Sequence, residues 1–252
     1  MMKGAGQWPT PHYPTFNQYG GQNFEERMGD VQGGTACCDA QNLASHSASV
    51  CYTGFMSSDL PRITAFLDET KRLLEQLDTT AIASAKRILL ECHARRGRIY
   101  TLGNGGSAST AQHFACDLAK YVIPNGQRPF DVRCLTDNVS LYTAWANDAE
   151  REDVFANQMR GLLTAEDVVL AISVHGGSGF SADLVRAIRY AREVGAQTIA
   201  LVGFDGGVLH RECDCSILVP VDSTPQTEAM HLVIEHLLMH LLKEDLAALS
   251  PS

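Results

Sequence analysis

Two sets of residues have the types and spacing for proton transfer or metal binding. His113 and Asp117 are four apart, so a helix would present both on one face. Nearer the C-terminus come Glu228, His231, Glu235 and His236. Imidazole beside carboxylate is the pairing that moves protons near neutral pH, and the same groups ligate divalent cations. Periodicity leaves the second set open. Glu228 and His236 lie within about 80° of each other on a helical wheel, while His231 and Glu235 are an equally good pair at i, i+4.

Ahead of the first pair stands Gly103-Asn104-Gly105-Gly106-Ser107, at the point where an apolar run gives way to a helical pattern. Glycines allow close backbone approach, and the hydroxyl and the free amides of a helix N-terminus supply donors for an anion. The turn lacks the Gly-Lys-Ser/Thr of a P-loop and the G-x-G-x-x-G of a dinucleotide fold, so no nucleotide cofactor is expected. A second turn of this kind runs Ser173-Val174-His175-Gly176-Gly177-Ser178-Gly179. Two such turns after parallel strands would meet at one crevice, which favours a phosphate site. A third, Gly203-Phe204-Asp205-Gly206-Gly207, carries an acid that would repel phosphate and reads as a plain turn.

The elements that must position these groups alternate. Apolar or β-branched runs at 98–102, 131–135, 167–173, 197–202 and 215–221 are separated by helical patterns at 107–122, 138–146, 153–163 and 181–194, and a last helix follows at 227–246. The pattern predicts an α/β fold, a doubly wound parallel five-stranded sheet flanked by helices, with ligands beyond the carboxyl ends of the strands. Two helices, from Asp59 as cap with Pro61 in the first turn and from about Thr80 to Arg95, predict an N-terminal helical hairpin. Residues 1–58 are rich in Gly, Gln, Asn, Tyr and Ser without periodicity and read as a disordered or loosely attached extension to a domain spanning 59–247.

A formal net charge of −9 and the lack of a Lys/Arg run disfavour nucleic acid and anionic membranes as partners. No apolar stretch approaches a membrane span, and no signal-peptide pattern opens the chain. Eight cysteines without framework spacing read as reduced thiols, and the expected location is cytoplasmic.

With Ala111-Gln112-His113-Phe114-Ala115, Asn147-Asp148, Ile172-Ser173, Val219-Pro220 and the closing histidine helix added to the turns, the chain resembles the sugar isomerase (SIS) family, in its phosphoheptose isomerase branch, over about residues 59–246. The resemblance implies an aldose-ketose isomerase converting sedoheptulose 7-phosphate to glycero-manno-heptose 7-phosphate by proton transfer through an enediol. It implies Asp117 as base and His236 as acid, and a divalent metal, zinc foremost, held by His113, Asp117, Glu228 and His236. It implies phosphate on Ser107, Ser173 and Ser178, sugar contacts from Asn104, Gly105, Gly106, Asp148 and Glu228, and a homotetramer.

Three departures bear on this. Asp117 stands where the family usually has Glu, and Glu228 where it usually has Gln, adding a charge that favours a cation. The Val174 to Phe180 loop replaces a hydroxyl-rich turn and gains about three residues, which bears on the identity of the sugar. The alternatives are an isomerase of another ketose phosphate and a non-catalytic SIS scaffold of the replication initiator-associating type, with which the chain shares Thr136-Asp137-Asn138-Val139.

Overall fold

The computed structural model of the chain describes residues 47–123 and 128–248. The expected extension lies outside the described residues as far as residue 46. Regular structure starts earlier than expected: α1 spans Ser47–Gln76, with Pro61 inside it rather than in its first turn. An internal proline costs the helix one backbone hydrogen bond, which this long helix tolerates. Helix α2 spans Thr79–Ala94 and is capped by Asp78, whose side chain accepts from the amides of Thr80 and Ala81.

Five strands follow: β1 (Arg98–Gly103), β2 (Asp131–Cys134), β3 (Val168–Ser173), β4 (Gln197–Gly203) and β5 (Cys215–Val219). All neighbours pair in parallel, in the order β2-β1-β3-β4-β5. β3 is buried along its whole length, as a central strand covered on both faces must be. Chain direction across the sheet reverses between β1 and β3, and Gly103 pairs with Ile172 at that seam. Both glycine-rich turns therefore leave the sheet side by side, at the switch point where such folds bind ligands.

One face of the sheet is covered by α2, α3 (Gly106–Cys116) and α8 (Thr224–Ala248), around Leu89, Phe114, Ile172, Ile234 and Leu238. The other carries α5 (Val154–Met159) and α6 (Ala182–Val194), around Tyr100, Phe155, Val169 and Ile188. Helix α4 (Val139–Asp148) and a short 3-10 turn at Arg151–Asp153 precede α5, and α7 (Gly207–Glu212) fills the third glycine turn. That helix is too short for periodicity to reveal. Helix α5 ends at Met159, short of the expected 163. Helix α1 meets the body through Leu73, buried in the first cluster, and through Gln226, which accepts from the Thr70 hydroxyl and donates to the Phe66 carbonyl.

Candidate active site

The first glycine turn opens α3. Gly105 has φ of 56°, a conformation that favours glycine, and places Gly106 at the start of the helix. A side chain on Gly106 would collide with the Glu228 carboxylate of α8, so the missing Cβ is what admits that acid. Ser107 is buried behind the turn. Asn104 donates through Nδ2 to both oxygens of Asp183 at 3.0 and 3.1 Å, which fixes its amide. Burial raises the Asp183 carboxyl above its usual range, with the Asn104 hydrogen bond opposing.

The second turn faces the first across the crevice. Ser173 Oγ accepts from the Gly176 amide at 3.1 Å, bending the chain back on itself. The third turn supports it from behind: the Leu209 amide donates to the Gly176 carbonyl and the Gly203 amide to the Val174 carbonyl. Gly176 abuts the Gly206 carbonyl so closely that only glycine fits there. The plain turn is thus a buttress, and Asp205 is spent inside it, accepting from the Gly207 amide.

Between the turns lies a pocket lined by Asn104, Gly105, Gly106, Ser107, Ile172, Ser173, Val174, His175, Ser181, Thr224 and Glu228. It brings together most of the expected substrate contacts. Ser178 is not among them: it is exposed, its amide closing a turn onto the His175 carbonyl, while Ser181 lines the pocket. Asp148 is also outside the pocket, exposed at the end of α4 and accepting from Asn147 at 2.8 Å.

Further along α3 the polar groups converge. His113 Nε2 lies 3.6 Å from Asp117 Oδ2, and His236 Nε2 lies 3.9 Å from the same oxygen. The two imidazoles meet edge to face at 5.0 Å. Asp117 begins a π-helical turn, Asp117–Tyr121, a widening that recurs at functional positions in helices. The fourth member is Glu235, whose Oε1 is 4.0 Å from His113 Nδ1. His113, Asp117, Glu235 and His236 form a group able to hold a metal ion, each with one ligand atom within 4.8 Å of the others.

Glu228 does not join this group. It precedes His236 by eight residues, about 12 Å along the helix axis, and lies over Gly106 instead. Glu235 is fully buried, with neither carboxylate oxygen hydrogen-bonded. Burial, and then the Asp117 charge, push its carboxyl up to about 8. The sequence carried a signal for it: Glu235 falls among Met230, His231, Ile234, Leu238 and Leu242, the buried side of α8, where an acid has no structural reason to be.

Helices α3 and α8 share a register. Gly106 faces Glu228 and, seven residues on in both helices, His113 faces Glu235. Pocket and cluster are therefore two ends of one seam.

The SIS domain family matches residues 65–203, more than half of the chain. The chain belongs to the SIS domain family. Its SIS domain is of the phosphoheptose isomerase branch: it is 35% identical to a phosphoheptose isomerase of Helicobacter pylori over 184 residues, covering 73% of this chain and 93% of that protein. A phosphoheptose isomerase structure from Neisseria gonorrhoeae superposes with a TM-score of 0.66 at 30% identity, over 73% of this chain and 98% of that one. The SIS domain is also 39% identical over 179 residues to the lincomycin biosynthesis protein LmbN of Streptomyces lincolnensis, covering 68% of this chain but only 65% of that protein.

Proposed function

We propose that the chain is an aldose-ketose isomerase that interconverts sedoheptulose 7-phosphate and glycero-manno-heptose 7-phosphate. The observation that carries this is the meeting of Asp117, directly after the helix that the glycine turn opens, with His113 of that helix and His236 of α8. In this reading Asp117 removes the proton beside the substrate carbonyl and returns it to the neighbouring carbon, while His236 exchanges a proton with the oxygen; the roles reverse in the other direction. A divalent cation, zinc foremost, fits His113, Asp117 and His236, and when bound it would polarise the substrate oxygens.

Among the described residues that line the pocket there is no Lys or Arg beside its one carboxylate, Glu228. Phosphate is therefore held by hydroxyls of Ser107, Ser173 and Ser181 and by backbone amides, with Glu228 and Asn104 left for sugar hydroxyls. The exposed apolar residues Leu60, Ile63, Leu67 and Leu74 on α1 support assembly as a homotetramer. Cytoplasmic residence is supported by free thiols at Cys92, Cys116, Cys134, Cys213 and Cys215.

The test is deuterium incorporation at C1 or C2 of sedoheptulose 7-phosphate, followed by NMR with metal-supplemented protein. Absence of exchange, with no further loss on replacing Asp117 or His236, would sink the isomerase assignment. A second reading keeps the chemistry and changes the sugar. It is favoured by the likeness to the lincomycin biosynthesis protein and by His175, which lines the pocket from the altered loop. Exchange with another ketose phosphate but not with this one would select it.

A further inference from the structure

We infer that Glu235, and not Glu228, supplies the fourth ligand of the divalent cation, a carboxylate closing the set begun by His113, Asp117 and His236. This rests on the reading of the cluster as a cation site. The argument begins with what Glu235 lacks. Its side chain is wholly inaccessible, and both oxygens are without a hydrogen-bond partner. A buried carboxylate so placed is costly unless a positive charge meets it. Among the described residues no Lys or Arg forms an ion pair with Glu235, and the other acid of the cluster, Asp117, adds repulsion.

A divalent cation removes both difficulties together. Two carboxylates and two neutral imidazoles around a doubly charged ion give a neutral site, and two nitrogens with two oxygens are a set that zinc accepts. A carboxylate oxygen of Glu235 already stands within 4.8 Å of a ligand atom from each of His113, Asp117 and His236, close enough for one ion to meet all four. Glu228 has a different place, over Gly106 in the pocket, two helical turns away along the seam. Each glutamate thus has one task, Glu235 toward the ion and Glu228 toward the substrate.

The experiment measures zinc binding by the full-length protein, stripped with a chelator and titrated against a chromophoric competitor, together with the visible spectrum of the cobalt(II) form. Glu235→Gln is expected to weaken zinc binding by at least about a hundredfold and to change the cobalt spectrum, while Glu228→Gln stays within about threefold of the native protein. His236→Ala serves as the control for the site itself.

If the native protein binds no zinc, or His236→Ala binds as tightly as native, the cation reading fails and the inference with it. If the native protein and His236→Ala behave as a site requires but Glu235→Gln binds normally, the inference alone is overturned. It is overturned equally if Glu235→Gln binds weakly with an unchanged cobalt spectrum, since the acid then acts only through His113. Should the variant not fold, crystals of the zinc-loaded native protein decide. An anomalous peak about 2.0–2.2 Å from a Glu235 oxygen supports the inference, and one at that distance from Glu228 overturns it.

Discussion

The Glu228 carboxylate of α8 occupies the space where a side chain on Gly106 would stand, so the two positions are complementary in volume. Gly106→Ala is expected to destabilise the protein by about 1–3 kcal/mol, because the added methyl overpacks a space already filled. The double variant Gly106→Ala with Glu228→Ala should recover most of that loss, a non-additivity read from a cycle of denaturant melts. Independent, additive effects would show that the two do not compete for this space.

Asp117→Asn and His236→Gln each remove one proposed proton carrier and leave the helices intact. Each should lower kcat by about 10²–10⁴, with the melting temperature of the metal-free protein changed little. Sedoheptulose 7-phosphate turnover measured beside thermal melts checks this, and a variant retaining near-native kcat would remove that residue from the proton path.

Asp183 holds the Asn104 amide from α6 and lies outside the reacting cluster. Replacing it with Ala should raise KM about tenfold while kcat stays within about threefold, since a hydrogen bond to a charged group that positions a substrate contact is lost. A fall in kcat at unchanged KM would assign Asn104 to the chemical step instead.

His231 is fully buried, and neither ring nitrogen makes a geometrically sound hydrogen bond. Burial holds its pKa down to about 4, with the Val202 backbone opposing. The unfolded chain therefore binds the proton first. The stability gained from a neutral His231 is complete above about pH 6.5 and is lost as pH falls toward 4, roughly 3 kcal/mol over that window. In metal-free protein Glu235 pulls the other way, because its raised carboxyl contributes stability below about 4.5 that fades as pH rises through 8. The difference between native and His231→Asn melts is thus the quantity to follow: it should narrow as the solution is acidified. A constant difference would mean that His231 is protonated without penalty.

Leu67 is 60% exposed on α1, in line with Leu60, Ile63 and Leu74. If these residues form the seam of a tetramer, the native protein should have the mass of four chains by light scattering, and Leu67→Glu should shift it to smaller species. A native protein that runs as a single chain excludes the tetramer.

The strands and the two glycine-rich turns that line the pocket were legible in the sequence because apolar runs and glycines are local signals. Helix α7 was not, since six residues are too few to show a period. The beginning of α1 was missed because a cap at Asp59 with Pro61 two residues later is a sound local start that a longer helix overrode. His113 and Asp117 are neighbours on one helix and could be paired from spacing alone. Glu228 and Glu235 are different: which of them meets His113 depends on how α8 is set against α3, and no property of α8 alone contains that register. Ser178 was expected in the pocket and Ser181 lines it, because the path of the loop depends on the buttress behind it and not on local sequence alone.

Because α3 and α8 run in step, the glycine pocket and the histidine cluster are separated by two helical turns, about 10 Å. With phosphate in the pocket and the carbonyl at the cluster, as proposed above, the seam is a gauge of substrate length. An extended sugar phosphate can rest its phosphate at one end and its carbonyl at the other only if its carbon chain fills the interval. A pentose phosphate is expected to reach one end at a time, whatever the side chains of the loop prefer.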